Sequence, residues 1–154
     1  MVNQIRTAAR ALMIRDGKIL LIKMKDKRGV FFVLPGGGQR AGETLEDAVE
    51  RECSEETGCE IKAGKLAYIR EYIGRNHSFS KAHRRFHQLE AVFYCQITCL
   101  KNFGKGCESD KKQVGLTWVP LRELPQTELY PRQLKDIFEE GTVKTDNLYL
   151  GDIN

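Results

Sequence analysis

Hydrophobic and polar positions along this chain fall into short blocks with a strand period, interrupted by one clear helix. Residues 6–15 and 18–24 are apolar, β-compatible runs parted by Asp16-Gly17, the two-residue signal of a type I′ turn, so the chain is expected to open on a hairpin. After a charged loop over 25–29, Val30-Phe31-Phe32-Val33-Leu34 predicts a short buried strand stopped by Pro35 and three glycines. A helix follows. Thr44 is a good N-cap, Asp47 completes the capping-box spacing, and Gly58 is a natural left-handed terminator. Beyond it lie a β-prone stretch over 66–73 and a longer run over 86–100. In that run Leu89, Ala91, Phe93, Cys95, Ile97 and Cys99 oppose Glu90, Val92, Tyr94, Gln96 and Thr98, which predicts a half-buried strand. Residues 114–119 predict a further strand ended by Pro120. Residues 131–140 predict a helix with proline in its first turn and Gly141 just past its end. The segments 75–85 and 101–112 read as long polar loops, where substrates are often met.

Composition narrows the setting without changing this layout. At 154 residues, 41% hydrophobic and 30% charged, the chain has the make-up of a globular protein, and one domain over 1–154 is expected. No run approaches the ~18–20 apolar residues of a membrane span, and the first residues lack a signal peptide's apolar core. A cytoplasmic protein without a membrane partner is expected. The five cysteines fit that setting, because their number is odd and no CxxC pair occurs; they read as reduced, mostly buried thiols. A net charge of +4 favours anionic substrates without requiring nucleic acid.

The predicted helix carries the candidate chemistry. At ~100° per residue, Leu45, Ala48, Val49 and Cys53 make a buried stripe, while Glu46, Asp47, Glu50, Ser54 and Thr57 fall on a solvated face. Glu52 and Glu56 fall within ~20° of Leu45, and Glu55 lies beside them, so the second half of the helix turns carboxylates along its packing stripe. Inward carboxylates repel one another and call for a cation. Arg51 can pair with Glu55 or reach back to Glu43 but cannot neutralise the set. A hard divalent ion such as Mg²⁺ satisfies several carboxylate oxygens at once. The alternative is a solvent-filled groove that binds nothing.

Written out, the stretch is Gly37, five residues, Glu43, seven residues, then Arg51-Glu52-Cys53-Ser54-Glu55-Glu56-Thr57-Gly58-Cys59. It resembles the Nudix hydrolase signature G-x5-E-x7-R-E-U-x-E-E-x-G-U, where U is a bulky aliphatic residue. Every charged and glycine position matches. The departures are Cys53 and Cys59 at the two U positions, where cysteine still packs as a small hydrophobe. The resemblance implies an α/β/α sandwich around a mixed β-sheet and hydrolysis of a nucleoside diphosphate linked to another group X, with water attacking a pyrophosphate phosphorus. It also implies Mg²⁺, with Mn²⁺ an alternative ion. Within it Glu52 and Glu56 look like the main ligands, with the backbone of Gly37 at the metal, and Glu55 looks like a further ligand or the group that activates water. Glu43 and Arg51 look like supports that orient these carboxylates.

On the substrate side, Gly36, Gly37 and Gly38 would let backbone approach metal or phosphate closely. Arg75, Arg84 and Arg85, with His77, Lys81, His83 and His87, form a basic segment that either recognises phosphate or is simply solvated. Glu108 and Asp110 are candidates for a further loop carboxylate, and Tyr68, Tyr72, Phe79 and Tyr94 for stacking a base, although each ring could equally be core. An RNA-directed relative that removes a 5′ pyrophosphate or cap is a second reading, weakened by basic residues scattered along the chain. A catalytically silent nucleotide-binding module ranks behind both, since no glutamate of the motif is lost. The sequence leaves the oligomeric state open, a homodimer included.

Overall fold

The opening apolar run divides between two sheets. In chain order the elements are strands Arg6–Leu12 (β1), Ile14–Arg15 (β2), Lys18–Asp26 (β3), Gly29–Val33 (β4) and Gly36–Gly38 (β5), then helix Leu45–Thr57 (α1). Strands Glu60–Ile73 (β6), His87–Cys99 (β7), Gln113–Pro120 (β8) and Leu129–Tyr130 (β9) follow. A one-turn helix, Leu134–Ile137 (α2), then precedes strands Phe138–Glu139 (β10), Thr142–Val143 (β11) and Tyr149–Asp152 (β12). This computed structural model describes residues 4–77, 81–104, 106 and 112–154. Phe79, Cys107, Glu108 and Asp110 lie outside the described residues.

Asp16 and Gly17 both have positive φ, 51° and 70°, as a type I′ turn requires, but the hairpin they close pairs only Ile14 and Arg15 with the start of β3. The main part of the run, β1, joins a mixed sheet ordered β12-β6-β7-β1-β5, parallel to β7 and antiparallel to β5. Strands β2, β3, β4, β8 and β9 form the other sheet, with β8 paired to β3. Alternate residues of β1 and β7 feed two cores. Ala9, Ala11, Ala91 and Phe93 pack with Val49 and Cys53 of α1, whereas Leu12 and Val92 pack with Ile19, Leu21 and Leu134. The sheet between them is therefore covered on both faces, and β7 is buried on both sides over Glu90 to Phe93 rather than half-buried as its alternation predicts.

The helix expected over 131–140 shrinks to the four residues of α2. Glu140 and Gly141 both adopt positive φ and turn β10 back onto β11, so this Gly closes a hairpin instead of capping a helix. Helix α1 matches its signals. Thr44 and Asp47 form the reciprocal capping box and Gly58 sits at φ 74°. Ala48, Val49 and Cys53 are fully buried as predicted, but Thr57 is buried as well: its hydroxyl donates to the Cys53 carbonyl (2.6 Å) and accepts from the Cys59 amide (3.0 Å).

Cys53 and Cys59 are free thiols with no exposed surface, and burial pushes both thiols up, Cys53 most strongly. Replacing both with leucine overfills a packed site, so the double variant is expected to lose ~1–3 kcal/mol in urea unfolding while turnover stays within a few-fold. Turnover lost at unchanged stability would show instead that the thiols do more than pack.

Candidate active site

Helix α1 packs on β5 and β1, and this packing brings the motif's carboxylates to the glycine strand. Arg51 is the hub. Its guanidinium donates twice to Glu43 (Nε to Oε1, 2.5 Å; Nη2 to Oε2, 3.0 Å), to the Gly38 carbonyl (2.9 Å), to Glu52 (2.9 Å) and to Glu55 (3.2 Å). A planar fork suits this spread of acceptors, which a lysine could not serve together. Glu43 also accepts the Arg40 amide (2.9 Å), and Arg51 followed by that amide hold its carboxyl down at about 2. Both partners expected for Arg51, Glu43 and Glu55, are thus found. The same hydrogen bonds raise the pKa of Arg51, so it stays charged.

The glycines act by close approach. A Cβ on Gly37 would stand 2.5 Å from the Glu52 carboxylate carbon, and a Cβ on Gly36, at φ 137°, would stand 2.1 Å from the Ala9 carbonyl oxygen. Gly36 has no room for a side chain, and a side chain at Gly37 would displace the Glu52 carboxylate. The Gly36 amide donates to Glu56 Oε2 (2.9 Å), and the Gly36 carbonyl accepts from Arg10 Nη1 (2.7 Å). The triglycine is therefore a strand that shapes and binds the carboxylate edge of α1, where the sequence predicts only a stop to the preceding strand.

Four carboxylates, Glu43, Glu52, Glu55 and Glu56, stand near three arginines, Arg10, Arg40 and Arg51. The donor set of Glu52, Glu55 and Glu56 is all oxygen and sits along one stripe beside a glycine backbone, which fits a hard divalent ion. Among the described residues no three His, Cys, Asp or Glu side chains converge to ligand distance as they stand, and Arg51 holds both Glu52 and Glu55. Binding an ion there means Arg51 gives up part of that hold.

Beside this edge opens a cleft of about 240 Å³. Phe31 and Tyr130, edge to face at 5.7 Å, and Tyr72 and His83, joined hydroxyl to Nδ1 at 3.2 Å, supply ring walls. Its polar lining includes a charge cluster centred on buried Glu90. Glu90, 3% exposed, accepts from Arg10 (2.8 Å), Arg70 (2.5 Å) and Gln88 (3.0 Å). Burial alone would raise the Glu90 pKa, but the charges of Arg70 and Arg10 outweigh it and hold the carboxyl well below its ordinary range. For Arg10, burial works against the charge while Glu90 and then Glu56 favour it, and the balance is a raised pKa.

Of the residues singled out from sequence, Tyr72 and His83 line the cleft, and burial lowers the His83 pKa. Arg75, Arg84 and Arg85 sit on exposed 3₁₀ and turn segments outside the cleft lining. His77 pairs with Asp152 (2.6 Å) and His87 with Glu71 (2.5 Å). Tyr68 is core, and the Tyr94 hydroxyl accepts the Val143 amide (2.7 Å). Glu50, placed on the solvated face, accepts the Ala63 amide (3.0 Å). Sequence reasoning missed Arg10, Arg70, Gln88, Glu90, Phe31 and Tyr130. The available signal was a charge set inside each of three apolar strand runs: Arg10, Arg70 and Glu90.

Residues 4–140 match the NUDIX domain family, and the chain belongs to the Nudix hydrolases, as a pyrophosphohydrolase of that family. It is similar to nucleoside triphosphatase NudI of Salmonella agona, 34% identical over 123 residues that span 77% of this chain and 84% of that one. Its fold is that of a MutT NUDIX hydrolase from Burkholderia pseudomallei (TM-score 0.63, 27% identity, covering 86% of this chain and 95% of that one). An ADP-ribose pyrophosphatase from Streptococcus suis shares the fold as well (TM-score 0.57, 22% identity, 82% and 81% covered). Among the described residues no helix is long and apolar enough to cross a membrane.

Proposed function

We propose that the chain hydrolyses the pyrophosphate linkage of a nucleoside diphosphate derivative in a reaction dependent on Mg²⁺, or Mn²⁺ in its place, with nucleoside triphosphates the first substrates to try. The observation that carries this reading is the junction at Gly36, whose amide holds Glu56 and whose carbonyl is held by Arg10 of the cleft wall. Cleft and carboxylate edge are thereby neighbours, as a molecule with a ring at one end and a pyrophosphate next to it requires. The relationship to an enzyme named nucleoside triphosphatase supports the choice of substrate. The Streptococcus suis likeness concerns the fold alone, so ADP-ribose enters as a comparison substrate.

In this reading Glu52 and Glu56, with Glu55 and the Gly37 backbone, would hold the ion. When bound, it supplies charge neutralisation for the pyrophosphate and a more acidic water. Water's oxygen adds to one phosphorus, and the bridging P–O bond breaks. Glu55 or another carboxylate of the set takes the water's proton. Arg51, anchored on Glu43 and the Gly38 carbonyl, stays beside Glu52 and Glu55 as they turn to the ion, and the ring walls of the cleft stack the nucleoside end. Arg75, Arg84 and Arg85 would meet the outer charge of the substrate from the surface.

The test is a screen of nucleoside triphosphates, nucleotide sugars, dinucleotides, ADP-ribose and capped or triphosphorylated RNA with Mg²⁺, products being resolved chromatographically. Excess chelator is expected to abolish turnover and added Mg²⁺ or Mn²⁺ to restore it. Full turnover in chelator would overturn the reading.

A further inference from the structure

The geometry points to Arg10 as a positioning residue that transmits occupancy of the cleft to Glu56 through the Gly36 backbone. The inference rests on Glu56 being a ligand, as proposed above. Gly36 is gripped from both sides: its amide donates to Glu56 Oε2 at 2.9 Å, and its carbonyl accepts from Arg10 Nη1 at 2.7 Å. It cannot yield toward β1, because the Ala9 carbonyl already excludes even a Cβ. The same Nη1 reaches the Leu34 carbonyl at 3.4 Å, so Arg10 ties down the strand-to-glycine junction. At its other edge, Arg10 Nε donates to Glu90 at 2.8 Å, and Glu90 is shared with Arg70 and Gln88. All four of these side chains line the cleft.

The result is one continuous chain of hydrogen bonds from the cleft to the candidate ligand. Each link is short and each intermediate group is fixed by a second partner, so a group that presses on Arg10, Arg70 or Gln88 acts on the position of Gly36 and hence of Glu56. A substrate whose ring end fills the cleft would then raise the rate at the pyrophosphate as well as the affinity, which is how remote binding energy enters kcat. Lysine in place of Arg10 keeps the charge but lacks the planar fork that spans Glu90 and the Gly36 carbonyl together.

The experiment is a cycle of Arg10→Lys, Glu56→Gln and the double variant, with exposed Glu46→Gln as the control, each checked for folding by circular dichroism. Arg10→Lys is expected to lower kcat by ~10-fold with KM changed less than ~3-fold, and to cost less than ~2-fold more when Glu56 is already glutamine. Mn²⁺ affinity of the resting protein, read by electron paramagnetic resonance, should fall ~5-fold in Arg10→Lys and show the same non-additivity. A wild-type measurement needs no variant: a tripolyphosphate lacking the ring end should lose kcat by at least ~10-fold relative to the matching nucleotide. Additive losses in the cycle, a raised KM at unchanged kcat in Arg10→Lys, or a truncated substrate impaired in KM alone would overturn the coupling while leaving the enzymatic reading intact. A wild-type protein that neither binds Mn²⁺ nor hydrolyses any substrate in the screen would overturn both.

Discussion

Glu56→Gln is expected to lower turnover by at least ~10²-fold, because it removes one charged oxygen donor from a set whose proposed task is to hold an ion that acidifies water. The structure sharpens why this substitution tests chemistry and not folding. Glu56 Oε2 accepts the Gly36 amide, and a glutamine carbonyl oxygen can accept the same bond, so the junction of α1 with the glycine strand survives. The variant also lowers repulsion among Glu52, Glu55 and Glu56, and metal-free stability should stay within ~1 kcal/mol of wild type. Glu46→Gln removes an exposed charge from the same helix and should change neither quantity. Full activity in Glu56→Gln, or unfolding of its metal-free form, would show that this helix edge is not the metal-binding element.

The motif helix was legible because its determinants are local. Thr44, Asp47 and Gly58 encode its ends within fifteen residues, and periodicity alone turns Glu52, Glu55 and Glu56 toward one side. Local rules also explain the failures. Proline at 131 and glycine at 141 satisfy a helix's punctuation, yet Glu140-Gly141 equally satisfies a two-residue hairpin turn, and pairing of β10 with β11 decided between them. Thr57 reads as polar, but its hydroxyl is consumed by its own helix end, so it buries at little cost.

The cleft was illegible for the opposite reason. Its charge cluster joins positions 80 and 20 residues apart, Arg10 to Glu90 and Arg70 to Glu90, and only strand pairing makes them neighbours. Arg70 stands directly opposite Glu90 in the β6–β7 register, while Arg10 comes from β1, on the other side of β7. An alternation analysis puts Glu90 on a solvated face because it cannot know that a second sheet covers that face. The triglycine belongs to the same class. Its count suggests backbone approach to a ligand, and the structure adds two contacts the count could not show: the Ala9 carbonyl excludes a side chain at Gly36, and the Glu52 carboxylate lies against Gly37.

Removing Glu90 is expected to have the largest effect on stability. Glu90→Gln leaves Arg10 and Arg70 facing each other across the cleft lining without their shared counter-charge, and breaking a buried charge set in this way typically costs ~3–5 kcal/mol. For a chain of this length that corresponds to a fall of ~10–15 °C in the thermal midpoint. Acid should reveal the same group. The folded-state pKa of Glu90 lies well below its ordinary 4.5, so its contribution is fully present above about pH 4.5 and is lost as pH falls toward the depressed folded value. The stability gap between wild type and Glu90→Gln should therefore be widest near neutral pH and narrow steadily below pH 4.5, as protonation makes the wild-type side chain as neutral as the amide. Urea titrations of both proteins across that range check the sign, and a gap that stayed constant into acid would show that Glu90 is not ionised between its two arginines. Replacing Arg10, Arg70 and Glu90 together by apolar residues of similar volume separates stability from function. Such replacements are often neutral or stabilising. A variant that folds as well as wild type but turns over slowly would show that the cluster is kept for function and not for stability.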